Sequence, residues 1–414
     1  MKLKINYEKE IIIRVLMIIL FCSFTVLSTY TWGRYLMLGC LAFIFILDAS
    51  QQHFMYKITI SRFVLTVAFF AFYALISSLW ATDAADAISK ARTLFELLLM
   101  IFVVEHYYRE HKDPLAELFL VIKWSSFIVV IYSFLFYGME TLIAIAAAEE
   151  RMENEYANIN TIGMLAAVGV VIQLEELIRK KRWSWSAAFC IPSVFLLALT
   201  QSRKALLIFL IGFFMVFFLH NTVDKELKKK VVKICFATLV AVGFVYLLLS
   251  LPVFEGTMIR MKTMLASFTG VGLVDSSTIL RHQLTAIGWQ QFIKTPVLGV
   301  GIGNPHHLAL MHLRRDAYLH NNFIELLAGG GLVGFAIYYS MYAYLFVTFW
   351  RQRKNKNVYF TLCFTIMTIL FFMDYGWVSY YSKINYMYLL LYFLEAEALK
   401  KGSFDATSGS VVSL

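Results

Sequence analysis

His320 is the residue of this sequence whose type and position best suit acid–base chemistry. It lies in the segment YLHNN (318–322), where a long polar stretch meets the next apolar run. A histidine at such a boundary can accept a proton from a hydroxyl group near neutral pH. The alternative is a residue at the start of a helix that bonds to a neighbouring backbone group, and the spacing fits both interpretations equally well.

Two arginines suit the binding of phosphate. Arg203 lies in the turn TQSRK (200–204) between two apolar runs, where a cation is costly unless it is paired or faces water. Its planar guanidinium can bind phosphate with two hydrogen bonds, or it can simply extend to the interface and contact lipid headgroups. Arg281 opens the segment 281–294, whose apolar stripe predicts a helix that ends before Pro296. On spacing alone, Arg281 is more simply interpreted as a solvated side chain.

Other polar motifs give weaker signals. The segment GVGIGN (299–304) lacks the lysine of a P-loop and the strand–turn–helix context of a dinucleotide site, so we do not predict a nucleotide site. Its glycines instead predict a turn whose backbone approaches a ligand closely. His306, His307 and His312 have no nearby carboxylate except Asp316, and we predict no metal site and no cofactor.

The composition places these residues on a membrane protein. Hydrophobic residues make up 60% of the 414 residues and charged residues only 15%, outside the range of ordinary soluble domains. At roughly 20 residues per span, the apolar runs predict an all-α, polytopic integral membrane protein with about 12 transmembrane helices. The net charge of +10 is spread over short clusters between these runs, so we predict contact with the lipid bilayer and no binding of nucleic acid.

The distribution of basic residues predicts the topology, because Lys and Arg favour cytoplasmic loops. The clusters 179–182 and 228–230 place both ends of the helix pair between them in the cytoplasm, so Arg203 is expected on the outer face. Both termini are predicted to be cytoplasmic. The predicted spans are predominantly apolar runs: 11–30, 34–48, 63–80, 91–107, 115–137, 160–177, 185–200, 204–220, 232–251, 319–347, 358–374 and 383–398.

We predict a single membrane domain over residues 1–401, followed by a disordered tail at 402–414. Two outer loops exceed a simple turn. The loop at about 138–159 contains a polar run that predicts a short surface helix. The loop at about 252–318 is too long for an ordinary connection, and its mixed composition predicts an ordered, functional segment.

A motif around His320 is similar to that of a known family. The pair HN (320–321) is followed after nine residues by GLVG (331–334), and a segment like 281–296 precedes it. This combination resembles the O-antigen ligase and polymerase superfamily of bacterial envelope enzymes. The turn at Arg203 is similar to the family's earlier arginine site. The family often has Trp four residues after its loop arginine, where this chain has Thr285.

The resemblance implies a glycosyltransferase that moves glycan from a polyprenyl diphosphate, such as undecaprenyl diphosphate, to an acceptor sugar or glycolipid without a metal or other cofactor. It implies that the long outer loop carries the catalytic segment and that Arg203 and Arg281 bind the diphosphate. His320 would orient or deprotonate the acceptor hydroxyl, and Asn321 would contact the substrate. The expected location is the extracytoplasmic face of a bacterial cytoplasmic (inner) membrane, with a polysaccharide flippase and a chain-length regulator as further expected partners.

Three functions remain open on the sequence. We favour a polymerase of capsular or other surface polysaccharide, because nothing identifies a lipid A core as the acceptor. The alternative within the family is an O-antigen ligase, which attaches finished glycan to the lipid A core of lipopolysaccharide. The alternative from another class is a transporter or flippase of lipid-linked sugars, for which Lys123 within a predicted span would be a candidate.

Overall fold

The computed structural model describes residues 2–27, 30–51, 60–109, 111, 113–147, 159–180, 188–220, 227–269, 276–354 and 357–408. These residues form helices and connecting turns without any strand, which confirms the all-α prediction. The α-helices in chain order are α1 (Lys2–Val26), α2 (Thr31–Gln51), α3 (Arg62–Ile76), α4 (Ala84–Arg109), α5 (Pro114–Tyr137), α6 (Met139–Ala147), α7 (Ile159–Lys180), α8 (Cys190–Leu199), α9 (Arg203–His220), α10 (Leu227–Leu249), α11 (Glu255–Thr269), α12 (Ser276–Lys294), α13 (Pro305–Leu313), α14 (Asn322–Arg351), α15 (Phe360–Met373) and α16 (Lys383–Ser408). Each predicted apolar span overlaps one of these helices, and residues 28–29 and 185–187 of the predicted spans lie outside the described residues.

Several of the helices are long and apolar enough to cross a membrane. Within the described residues there are six: Thr31–Ser50, Arg62–Leu79, Pro114–Tyr137, Ile159–Lys180, Arg203–His220 and Asn322–Arg351. A seventh span is possible if Val242–Leu249 and Pro252–Thr263, which are bent by 94° at their junction, cross as one. The helices α8 and α15 are apolar but shorter. The chain is therefore multi-pass, whereas the count of about 12 spans and the topology stay predictions.

One compact unit comprises Met1–Gln51, Leu115–Val274 and Thr361–Ile369. Within it, α7 packs against α8 and α9, and Gly212 lies so close to α7 that an added Cβ would be 2.4 Å from the Cγ2 of Val171. In the same unit, Lys123 of α5 donates to Glu176 of α7 at 3.0 Å. Lys123 is half-buried, and a lysine away from water is tolerated when it is paired, so the ion pair with Glu176 accounts for its charge within the unit.

The second compact unit comprises Gln52–Pro114, Asp275–Phe360 and Leu370–Leu414. In this unit α14 packs against α3 and α12, and α16 packs against α4. A small buried cluster joins α12, α13 and the start of α14, and its members are Leu284, Leu308, Ala309, Leu319 and Ala328. One member, Leu319, is the residue that directly precedes His320.

Backbone contacts connect the chain around the glycine segment 299–304 with the glycine segment 331–334 in the second unit. The helix α14 breaks at Gly331, which has a φ of 58°, and the freed N–H of Leu332 donates to the carbonyl of Pro296 at 2.8 Å. Gly299 has a φ of 68°, and an added Cβ would lie 2.5 Å from the backbone of Gly329. The predicted turn is present. At Gly299, however, the backbone approaches the backbone of α14 and not a ligand, so the predicted close approach to a ligand is wrong at this residue.

The two predicted outer loops contain helices. The first includes α6, while its polar run at 149–155 lies outside the described residues. The second includes α11, α12 and α13, and the predicted helix over 281–294 is present as α12, which begins earlier, at Ser276. The helix α16 continues to Ser408, into the segment predicted as a tail, and residues 409–414 are not among those described.

Candidate active site

His320 lies in a strained turn immediately before α14. Its φ is 57°, in the left-handed region that residues other than glycine rarely adopt. Such a conformation costs roughly 1–3 kcal/mol and persists only where the surroundings enforce it. The carboxylate of Glu325 supplies part of that constraint, because it accepts the N–H of Leu319 at 2.8 Å. Both partners are buried, so this hydrogen bond is shielded from water.

Asn321 fixes the other side of the turn as the N-cap of α14. Its Oδ1 accepts the N–H groups of Phe323 at 3.0 Å and Ile324 at 3.2 Å, and the residue is buried. The N-cap of α14 is therefore Asn321, the residue after His320. Because capping occupies the carbonyl oxygen, the predicted substrate contact of Asn321 would come from its Nδ2.

The next residue, Asn322, anchors the start of α14 inside the second unit. Its Nδ2 donates to the hydroxyl of Tyr339 at 2.9 Å and to Asp374 at 3.2 Å, and its Oδ1 accepts the N–H groups of Ser379 and Tyr380. Tyr339 also donates to Asp374 at 2.9 Å. This buried network was missed by the sequence analysis, since Asp374 lies 52 residues away from Asn322.

The imidazole of His320 is half-buried and packs beside the exposed ring of Tyr318. The two ring centroids are 4.1 Å apart and the planes are inclined by 41°. This contact limits the orientations of the imidazole while leaving part of it accessible. The arrangement suits a group that must present one ring nitrogen to a substrate in a fixed direction.

Arg281 lies in the same compact unit as His320, on the helix α12. One turn along this helix, Leu284 belongs to the buried cluster that contains Leu319. At Gly288 an added Cβ would lie 2.5 Å from the side chains of both Leu319 and Ile324, so α12 is pressed closely against the turn. The structure thus brings the helix of Arg281 into contact with the residues that flank His320.

Arg203 lies in the other compact unit, as the first residue of α9. Its guanidinium is half-buried and donates to the Oγ1 of Thr263 in α11 at 3.2 Å. The preceding turn contains Gln201, with a φ of 50°, and Ser202, whose hydroxyl donates to Asn160 at 3.1 Å. The predicted tight turn is present, and the arginine is held by side chains of its own unit.

Lys90 is a charged neighbour of the candidate site that the sequence analysis missed. It lies near the start of α4, and its Nζ is 3.7 Å from the ring centroid of Tyr381, a cation–π contact. Burial lowers the pKa of Lys90, and the attraction of Glu325 and Asp86 offsets part of this effect. The carboxylate that holds the turn of His320 therefore also interacts with a half-buried cation.

Asp86, His306 and His307 form a group that could hold a metal ion. The Nε2 of His307 is 2.9 Å and the Nε2 of His306 is 3.3 Å from the same carboxylate oxygen of Asp86. The Nδ1 of His306 lies 2.9 Å from the carbonyl of Gly303, the kind of contact that orients a metal-ligating imidazole. The sequence analysis considered Asp316 as the carboxylate and overlooked Asp86, which α4 brings in from far along the chain.

A segment that begins near the middle of the chain matches a known family. A family model described as "O-Antigen ligase" matches residues 188–339. This match supports the O-antigen ligase and polymerase superfamily for the matched segment. The matched segment includes Arg203, Arg281, His320 and Asn321, and it confirms the resemblance seen in the sequence. No curated protein matches the chain.

Proposed function

We propose that this chain is a membrane glycosyltransferase that takes glycan from a polyprenyl diphosphate and transfers it to an acceptor sugar on the outer face of the cytoplasmic membrane. The observation that carries the proposal is the enforced left-handed turn at His320 within the family segment. Strained backbone at residues other than glycine clusters at functional sites, where the surrounding structure enforces it.

In the proposed reaction, His320 accepts the proton of the acceptor hydroxyl while that oxygen bonds to the anomeric carbon of the donor sugar. The bond from the anomeric carbon to the phosphate oxygen breaks, and the polyprenyl diphosphate leaves with the electron pair. Arg281 stabilises the negative charge that builds on the leaving oxygen. Arg203 is a further candidate ligand of phosphate, and the proposal uses no nucleotide, metal or other cofactor.

Two features of the chain support a lipid-linked donor and oppose a transport function. The apolar helices provide surfaces on which a polyprenyl chain can lie in the bilayer. Lys123, the residue that would favour a transporter, is paired with Glu176 and packed between helices of its unit. Of the two activities in the superfamily, we propose the polymerase, which joins repeat units of surface polysaccharide. The test below distinguishes it from the ligase, which attaches glycan to a lipid A core.

The test is glycan profiling of a strain that lacks the protein and is complemented with the wild type, His320→Ala or Arg281→Ala. His312→Ala and Arg315→Ala are matched controls, because both residues are exposed in the same outer segment. We expect single repeat units without long chains for the first two variants and a normal profile for the controls. Intact polymer stranded on its lipid carrier would indicate a ligase. Normal profiles for His320→Ala and Arg281→Ala would contradict the proposal.

A further inference from the structure

A cavity lies at the end of α4 that is far from the candidate active site. Its volume is about 640 Å³, and it is lined by the start of α3, the end of α4 and the middle of α16, all in the second unit. Since an α-helix rises 1.5 Å per residue, Arg109 in the cavity is roughly 28 Å along α4 from Lys90. The cavity is therefore a separate feature from the surroundings of His320.

One wall of this cavity is apolar. The rings of Phe63 and Phe393, which both line the cavity, stack with centroids 4.4 Å apart, and Tyr344 stacks against Phe393 with centroids 5.1 Å apart. Leu390 and Leu394 extend the wall along α16. Such a surface can accommodate hydrocarbon, which a purely ionic site would not need.

The charged side chains of the cavity leave an excess of positive charge. Glu105 pairs with Arg109, and Glu397 lies 3.7 Å from Lys400. Two further cations line the cavity, Arg62 and Lys401. Both are exposed, and neither forms an ion pair with another residue of the described part of the chain. The two carboxylates are thus balanced, and two cations remain to attract an anion.

We propose that this cavity binds the phosphate headgroup of an anionic phospholipid. Arg62 is the first residue of a candidate membrane span, and Lys401 follows the predicted span 383–398, so both cations lie next to the ends of spans, where headgroups are found. Phosphate suits the two unbalanced cations, Arg62 and Lys401, and an acyl chain suits the stacked aromatic wall. The predicted topology places this end in the cytoplasm, where anionic lipid attracts basic side chains. The inference does not depend on the proposed transfer reaction.

The test uses the purified full-length chain in nanodiscs of phosphatidylcholine that contain increasing fractions of phosphatidylglycerol, with retained lipids counted by native mass spectrometry. The variant Arg62→Gln/Lys401→Gln removes the two unbalanced cations. The matched control is Arg351→Gln/Lys354→Gln, two exposed cations at the end of α14 that do not line the cavity. Unchanged melting temperatures would show that both double variants are folded.

We expect saturable retention of phosphatidylglycerol, with an affinity that falls about fivefold for each cation removed and about 25-fold in the double variant. The control should retain the affinity of the wild type. Equal retention by the double variant and the wild type would overturn the proposal, as would equal retention of phosphatidylcholine. Displacement of the lipid by millimolar inorganic phosphate would show that the site takes a soluble anion and would also overturn it.

Discussion

Replacing Glu325 by alanine should release the turn that positions His320. The Glu325 carboxylate accepts the N–H of Leu319 at 2.8 Å, and the exposed fractions of the two residues are 4% and 0%. Without this acceptor, the buried N–H costs roughly 1–3 kcal/mol, similar to the strain of a left-handed residue. If about 2 kcal/mol of positioning is lost, the rate of transfer falls about 30-fold.

The matched variant is Glu325→Gln, which keeps an oxygen acceptor of the same length. A hydrogen bond to an uncharged acceptor is weaker by about 1 kcal/mol, so the rate should fall by about fivefold at most. The assay is glycan transfer by the purified protein, with melting temperatures measured in parallel. Glu325 is a positioning residue, and rescue by glutamine separates this role from a charge requirement. Equal losses in both variants, or a normal rate for Glu325→Ala, would refute the reasoning.

Three further results are expected. Gly299→Ala should lower the free energy of unfolding by about 1–3 kcal/mol, because its Cβ would lie 2.5 Å from the backbone of Gly329. The control is Gly39→Ala, whose Cβ would meet no atom within 4 Å, and its melting temperature should fall far less. Burial lowers the pKa of Lys90 below its ordinary value of 10.5, so between these two pKa values the unfolded chain binds more protons than the folded chain. The melting temperature of the wild type relative to Lys90→Met should therefore increase as the pH rises towards 10.5. A difference in melting temperature that is independent of pH would contradict this. EDTA should leave transfer unchanged, whereas a loss that zinc reverses in the wild type but not in His307→Gln would assign a metal to the reaction.

The helices of this chain could be predicted well from its sequence. A membrane span must satisfy its backbone hydrogen bonds internally, so each long apolar run is a helix. The helix after Arg281 could also be predicted, because its apolar stripe and Pro296 are local signals. Segments such as α8 and α15 are apolar as predicted but short, and apolar composition alone does not decide whether such a helix crosses the membrane.

The surroundings of the candidate site could not be predicted in the same way. Asp86 is separated from His307 by 221 residues, and no periodic pattern links positions so far apart. The left-handed conformation of His320 carries no signal either, because a histidine does not indicate positive φ as a glycine does. At Gly299 the residue type indicated the turn, but only the fold identifies the α14 backbone as its neighbour.

The most direct test of the account is glycan transfer by the purified chain in nanodiscs supplied with polyprenyl-diphosphate-linked repeat units. Product length and released polyprenyl diphosphate are measured for the wild type and for His320→Ala, after equal melting temperatures have been verified. General base catalysis typically contributes at least about 100-fold, so the account predicts a loss of that size in both products. A His320→Ala protein that elongates glycan at the rate of the wild type would contradict the central claim.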